Sequence, residues 1–320
     1  MNSYMTIPRS LIFHIVILVF CLQAMGNPPP VSVEELKSKA PAIIKAFRQK
    51  RIELGYPASV IQKDNNKAIT SFKVVDEEDG VELRNDSYWV GFSKETGKFD
   101  GFLDNNISLK QLGKEAPTFS TRNKPKWPSE KAIDLAKPFF ETFLNDKEFH
   151  FAAPGAKYEY TMPNKEGFWE AIWPRTDSKG HPFEYDEYVS VSISESYGPY
   201  ALTVSLHAHY VEQPGEPLKQ VDVQDKALEM AKKTLIWGPV KGMLDPGHLD
   251  PKPFIAQLKV VKPNHMLDHA EVDTHSDLNA RLAWVFWYAW RLDNNPKKNQ
   301  SVSVWIDAYT GEILGGDAGL

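Results

Sequence analysis

The sequence predicts an α+β protein of tandem units, in each of which one helix packs on a small antiparallel sheet. Two observations predict this: a helix start recurs along the chain, and a strand, turn and strand pattern recurs after it. An amphipathic helix and a one-faced sheet each bury one side, so a helix laid on a sheet gives a two-layer unit. We place the units at 30–107, 126–213 and 220–317.

The recurring helix start is clearest between 128–137 and 223–232. Lys-Ala and Ala-Lys pairs fall at the same places in both segments, and the apolar positions coincide. Apolar residues at this spacing predict an amphipathic helix. A third copy begins at Ser32, which forms a capping box with Glu35.

The other two helices also have polar residues near their starts. We expect Ser129 and Asp222 to accept hydrogen bonds from the free N–H groups of the first turn. Proline stands inside two of the predicted helices, at Pro41 and Pro138. Because proline removes one hydrogen bond and clashes with the preceding turn, we expect each helix to kink or break there.

A hairpin pattern closes each predicted unit. The segments 92–99 and 306–313 match each other, and 193–200 is a weaker middle copy. Before each turn, apolar side chains alternate with others, which is typical of a strand with one buried face. Each turn contains a glycine where a positive φ is needed, because a Cβ would clash in that conformation; these are Gly97, Gly198 and Gly311.

Aromatic strands precede two of the closing hairpins, at 168–173 and 286–290. In the second of these strands the aromatic side chains fall on both faces. That pattern favours a central strand buried in the core. An exposed aromatic face that binds a peptide or a glycan is the alternative interpretation.

The end of the third unit, 302–316, resembles the close of a PepSY domain. The order of a helix followed by this hairpin also matches that family, and Thr96-Gly97-Lys98 repeats the hairpin signature in the first unit. The second unit diverges, because Tyr197-Gly198-Pro199 replaces the Thr-Gly-acid turn. The resemblance implies a PepSY-like or cystatin-like arrangement in each unit.

The same resemblance implies a role without catalysis. PepSY domains occur in secreted or membrane proteins and in propeptides of metallopeptidases, where they hold the enzyme inactive or assist its folding. The family has no catalytic residues to transfer. We therefore expect a non-catalytic binding protein that modulates or inhibits a secreted peptidase, and the alternative is a structural component of a cell-envelope assembly.

The motifs of common enzyme classes are missing from the sequence itself. There is no Gly-x-Ser-x-Gly nucleophile motif, no phosphate-binding glycine loop and no dinucleotide fingerprint. We expect no enzymatic activity and no cofactor. The net charge is −5 with mixed signs, and the absence of a basic stripe argues against nucleic acid as a partner. A protein or peptide partner remains the expectation.

The first residues have the order of a secretory signal peptide. Arg9 precedes an apolar run at 11–22, and Ala24-Met25-Gly26 then supplies small residues for a cleavage site near Gly26. The run is short for a bilayer span, which takes about 20 residues. We expect the signal peptide at 1–26 to be removed and the protein to be secreted or periplasmic, in the cell envelope. An uncleaved N-terminal anchor is the alternative.

The only cysteine, Cys21, lies in that signal segment. The processed chain would then have no disulfide, no thiol nucleophile and no thiolate metal ligand. Its stability must come from burial of apolar side chains. We also expect no membrane span after cleavage, because no second apolar run of spanning length follows.

A histidine-rich and aspartate-rich segment is the main candidate for metal chemistry. We interpret 245–277 as a loop insertion in the third unit, with histidines from 248 to 275. His265 and His269 are four residues apart and would share one helix face. With His275 and a carboxylate they could bind zinc, as a metal-binding protein or metal-dependent hydrolase. A polar structural loop is the alternative, because no His-Glu-x-x-His motif is present.

Overall fold

The computed structural model describes residues 32–58, 70–77, 80–94, 96–105, 125–144, 149–160, 167–184, 187–237, 249–264, 279–291 and 299–319. The predicted signal peptide at 1–26 lies outside them. The described part contains three helices, α1 (Val33–Glu53), α2 (Ser129–Phe143) and α3 (Gln220–Trp237), together with antiparallel sheets. The protein is therefore of the α+β class.

The strands form two sheets. The larger has nine strands in the order β1-β2-β3-β4-β9-β8-β7, with β5 and β6 both paired to β7. Its strands are β1 (Lys73–Asp76), β2 (Gly80–Arg84), β3 (Tyr88–Ser93), β4 (Phe99–Asp104), β5 (His150–Phe151), β6 (Gly155–Tyr160), β7 (Gly167–Thr176), β8 (Tyr188–Ser194) and β9 (Gly198–Ser205). The smaller sheet consists, in this order, of β10 (Ile255–Val261), β11 (Arg281–Arg291), β12 (Asn299–Asp307) and β13 (Ile313–Gly319).

Each helix is followed by a four-stranded antiparallel meander. The meanders are β1–β4 after α1, β6–β9 after α2 and β10–β13 after α3. In every closing hairpin the register shifts just before the turn, at equivalent positions. The predicted turn glycines all have positive φ: 61° at Gly97, 79° at Gly198 and 71° at Gly311.

In all three hairpins, the last residue of the strand before the turn makes a similar hydrogen bond. Its side chain accepts a hydrogen bond from a backbone N–H of the turn. The acceptor is Ser93 in the first hairpin (3.3 Å), Ser194 in the second (3.2 Å) and Asp307 in the third (2.7 Å). The three hairpins therefore share local hydrogen bonds as well as a similar sequence.

The first two meanders are joined, which differs from the expectation of one small sheet for each unit. β4 and β9, the last strands of their meanders, pair antiparallel, with Phe102 opposite Leu202. Both side chains are buried, so the pairing combines apolar burial with satisfaction of two strand edges. Above this seam, the ring of Phe47 in α1 lies 4.5 Å from that of Phe139 in α2.

Arg51 connects the end of α1 to the second hairpin. Its guanidinium is fully buried and donates to the backbone carbonyls of Tyr197, at 2.9 Å, and Pro199. Its Nε donates to the carbonyl of Pro57 at 3.0 Å. Burial lowers the pKa of Arg51, and the nearby carboxylate of Asp104 opposes that shift. The interaction joins residues that are far apart in the sequence.

This contact gives a physical reason for the divergent turn of the second unit. The ring of Tyr56 lies against Gly198, where an added Cβ would come within 2.6 Å of the ring. Pro199 is buried, whereas the residues that follow the glycine in the other two turns, Lys98 and Glu312, are exposed. A buried turn that offers carbonyls to an arginine has no need of the polar Thr-Gly-acid sequence.

The helix starts agree with the sequence only in part. Ser32 caps α1 as expected, because its Oγ accepts from the N–H of Glu35 at 3.2 Å. Ser129 is the first residue of α2 and not its cap, since Pro128 holds that position without a side-chain hydrogen bond. α3 begins at Gln220, which places Asp222 inside the first turn.

The expected helix breaks at proline do not occur. α1 continues through Pro41, and α2 continues through Pro138. In α1, Ala40 precedes the proline and Ile44 lies about one turn after it, and both are fully buried. Tertiary packing of this face outweighs the single lost hydrogen bond, since most helix stability in proteins comes from packing.

The aromatic strand of the third unit is a core strand. On the α3 side of β11, Phe286, Tyr288 and Trp290 are buried in a cluster with helix residues. On its other face, Ala283 and Val285 are fully buried. Burial on both faces supports the core interpretation over an exposed aromatic binding face for this strand.

The position of Gly198 leads to a test by a matched pair of substitutions. Gly180 has a similar φ of 88°, but no atom lies within 4 Å of an added Cβ. We expect Gly180→Ala to lower the free energy of unfolding by about 1 kcal/mol, from the positive φ alone. Gly198→Ala should cost about 3 kcal/mol or more, because the clash with Tyr56 adds to that strain. Urea denaturation measures both, and equal losses would contradict the packing of Tyr56 on the turn.

Candidate functional site

The predicted metal ligands His265, His269 and His275 lie outside the described residues. Across the part of the chain that the structure does describe, no group of three or more His, Cys, Asp or Glu side chains is arranged to hold a metal ion. In the same ranges no helix combines the length and the apolar character that crossing a membrane requires.

Part of the predicted loop insertion at 245–277 is a strand. β10 pairs with β11 along its whole length, from Ile255 opposite Trp287 to Val261 opposite Arg281. The sequence signal was present, because Ile-Ala-Gln-Leu-Lys-Val-Val is a short, mostly apolar run with β-branched residues. The charged and histidine-rich segments on both sides obscured it.

β10 is an edge strand whose C-terminal end already has a neighbour. The segment 182–184 lies parallel to it: the N–H of Val260 donates to the carbonyl of Pro182 at 2.9 Å, and the N–H of Glu184 donates to the carbonyl of Val260 at 2.8 Å. Lys259 pairs with the carboxylate of Glu184. The segment that follows β7 thus adds a single parallel bridge to the edge of the smaller sheet.

The N-terminal half of β10 has no such neighbour among the described residues, because β11 is its one strand partner there. Val260 points its N–H and C=O away from β11, towards 182–184. This orientation repeats every second residue along a strand. Ala256 and Leu258 therefore direct their N–H and C=O groups towards the same open side, in line with 182–184.

Exposed apolar side chains lie at this open end. Phe254 is 57% exposed and Ile255 is 37% exposed. Ile255 lies opposite Trp287 of β11, which is itself half-buried. A strand placed along this edge would cover apolar surface as well as complete hydrogen bonds.

Two edges of the larger sheet carry charges that oppose pairing. On β1, Lys73 and Asp76 are exposed, and Asp76 forms an ion pair with Lys94 at 3.0 Å. On β6, Lys157 and Glu159 form an ion pair at 2.6 Å. Charged residues on an edge strand discourage the addition of another chain.

The outer edge of β13 is covered by a side chain from the segment after β10. Asn264 Nδ2 donates to the carbonyl of Gly316 at 2.9 Å, and the N–H of Gly316 donates to Asn264 Oδ1 at 3.1 Å. Within the described ranges, residues 255–258 of β10 are the stretch of these edges with neither charge nor cover, which makes them the candidate binding site.

A buried ion pair positions the segment that continues this edge. Arg175 Nη1 contacts Glu187 Oε2 at 2.7 Å and donates to the carbonyl of Ala208 at 2.8 Å. The two charged side chains are each 9% exposed. The guanidinium also lies 4.2 Å from the ring centre of Phe183, the residue that bridges to β10. Arg175 therefore holds the junction between the two sheets.

Asp177 forms the turn that brings this segment back from β7. Its Oδ1 accepts from the N–H groups of Lys179 at 2.9 Å and His181 at 2.8 Å. Its Oδ2 lies 2.7 Å from His181 Nδ1. The sequence marks 177–180 as a polar turn, and the structure shows that the carboxylate of Asp177 organises it.

Comparison with known proteins gives little beyond this geometry. No protein-family model matches the chain, and no curated protein matches it. Among solved structures, the Bacillus megaterium YpeB C-terminal domain is similar over 92% of this chain and 100% of that chain, with a TM-score of 0.38 and 11% sequence identity. A likeness of that size supports no conclusion about the function of this chain.

The Arg175–Glu187 pair can be tested by removing one partner and then both. Arg175→Met leaves Glu187 buried without its cation, so we expect the free energy of unfolding to fall by about 3–5 kcal/mol. The double variant Arg175→Met, Glu187→Gln should lose less than the single variant. In the exposed control, Lys157→Met, the loss should stay below about 1 kcal/mol. Urea denaturation gives the values, and a loss under about 1 kcal/mol for Arg175→Met would contradict a structural role at the junction.

Proposed function

We propose that this chain is a non-catalytic, exported binding protein of PepSY type that captures an extended peptide segment along the open edge of β10. The observation that carries the proposal is the stretch 255–258, where backbone groups face outward in line with the segment 182–184, which already forms two backbone hydrogen bonds with Val260. Strand addition is a general mode of peptide recognition, in which main-chain hydrogen bonds supply affinity.

The edge offers enough groups for a specific contact. Ala256 and Leu258 present two N–H donors and two C=O acceptors, and each hydrogen bond contributes about 0.5–1.5 kcal/mol net. Phe254 and Ile255 add apolar surface beside them. We therefore expect the site to prefer peptides with an apolar residue that packs on Phe254 and Ile255.

The proposed class of partner is a secreted peptidase. The support is the PepSY-like closing hairpin, which recurs after each helix with the same turn geometry. In this proposal the three helix-and-meander segments are tandem PepSY-like units and the segment 1–26 directs export. The peptidase contributes an exposed extended segment, which pairs with β10. While it is bound, this segment cannot take part in cleavage of other proteins.

A proline substitution tests the edge directly. Ala256→Pro removes the outward N–H but leaves the pairing of β10 with β11 in place, since proline is tolerated on edge strands. Ala256→Val is the matched control, because it enlarges the side chain and keeps the N–H. We expect Ala256→Pro to weaken binding about tenfold or more and Ala256→Val to bind within about threefold of the wild type.

The probes are a panel of purified secreted zinc metallopeptidases and a displayed library of random decapeptides. Hydrogen exchange of the bound complex should show slower exchange at Ala256 and Leu258. Equal losses in the two variants would show that the backbone of β10 is not used. The absence of any binding or inhibition across both probe sets would reject the proposed function.

A further inference from the structure

The seam between β4 and β9 is symmetric. Residues 99, 199 and 313 hold equivalent positions in the second strands of the three closing hairpins. Each pairs with the first residue after the register shift on the partner strand, which is residue 92, 193 or 306. Counted from these residues, Phe102 and Leu202 both hold the fourth position, and they lie opposite each other. The flanking pairs, Gly101 with Thr203 and Leu103 with Ala201, exchange the third and fifth positions. The last strands of the first two meanders, β4 and β9, therefore pair symmetrically about their fourth residues.

β13 is the equivalent strand of the third meander, and Gly316 holds its fourth position. No described strand pairs with the outer side of β13. Asn264 is placed there: its side chain makes the two hydrogen bonds to Gly316, and its backbone N–H donates to the carbonyl of Leu314 at 2.9 Å. Asn264 thus bonds the outward N–H and C=O of Gly316 and the C=O of Leu314. Gly316 is equivalent to Phe102 and Leu202, which form the centre of the β4–β9 seam.

The sequence of β13 is adapted to this contact. An asparagine side chain has the same donor and acceptor pair as a peptide unit, so it can replace one residue of a neighbouring strand. Gly315 has a φ of 134°, and an added Cβ would come within 2.2 Å of Asn264 Oδ1. The side chain approaches so closely because residue 315 has no Cβ.

We propose that Asn264 guards the edge of β13 and prevents it from pairing with β13 of a second copy of this chain. The β4–β9 seam supplies the geometry of the excluded interface: two copies of β13 would run antiparallel about Gly316, with Gly315 opposite Asp317 of the other copy. Such a contact uses the same surface on both partners and closes as a two-fold dimer. The inference is independent of peptide binding at β10.

The test measures self-association of the full chain lacking residues 1–26. We expect the wild type to be a monomer by sedimentation equilibrium. Asn264→Ala should associate at least about tenfold more tightly, because the N–H and C=O of Gly316 lose their side-chain partner. Adding Gly316→Pro to Asn264→Ala should restore the monomer, since the central N–H is then missing. Gly316→Cys in the Asn264→Ala background should form a disulfide between two copies, because directly opposed residues are close enough.

A folded, monomeric Asn264→Ala protein would overturn the proposal, and so would a wild type that already dimerises through residue 316. If Asn264→Ala fails to fold, as judged by circular dichroism, Asn264→Asp is measured in the same way. That variant keeps the backbone N–H and the Oδ1 acceptor but loses the donor to the Gly316 carbonyl. It should also associate more tightly than the wild type, and a folded monomer would again overturn the proposal.

Discussion

The buried guanidinium of Arg51 is the interaction on which the larger sheet depends. A buried cation must be compensated, and here backbone carbonyls from the segment after α1 and from the turn between β8 and β9 provide the acceptors. The same turn closes the hairpin whose second strand pairs with β4. Loss of this contact would release the hairpin from α1 and weaken the seam, so we expect the first two helix-and-meander segments to unfold together.

The treatment of sheet edges explains much of the remaining architecture. Each meander ends in an edge strand, and unpaired edges tend to recruit other chains. The first two are paired with each other, the third is covered by Asn264, and β1 and β6 carry ion pairs. The open half of β10 stands out against this pattern, which makes it a candidate for a functional contact.

Local features of the fold could be predicted from the sequence because they depend on neighbouring residues. The cap at Ser32, the positive φ of the turn glycines and the buried alternation before each turn are of this kind. The joining of β4 to β9 and the contacts of Arg51 with residues 197 and 199 link residues far apart in the sequence, and no local pattern encodes them. The apolar run of β10 in the candidate site could be recognised in the sequence. Which stretch of that strand lacks a neighbour depends on the positions of 182–184 and of the other strands, which are set by the tertiary fold.

Native-state hydrogen exchange in increasing denaturant tests most directly whether the first two segments form one body. The account predicts that the amides of Val90 in β3 and Val191 in β8 share one opening free energy and one dependence on denaturant. It also predicts that Arg51→Met lowers both opening free energies together, whereas Lys45→Met on the exposed face of α1 changes neither. Separate opening of β1–β4 and β6–β9 in the wild type would contradict the account.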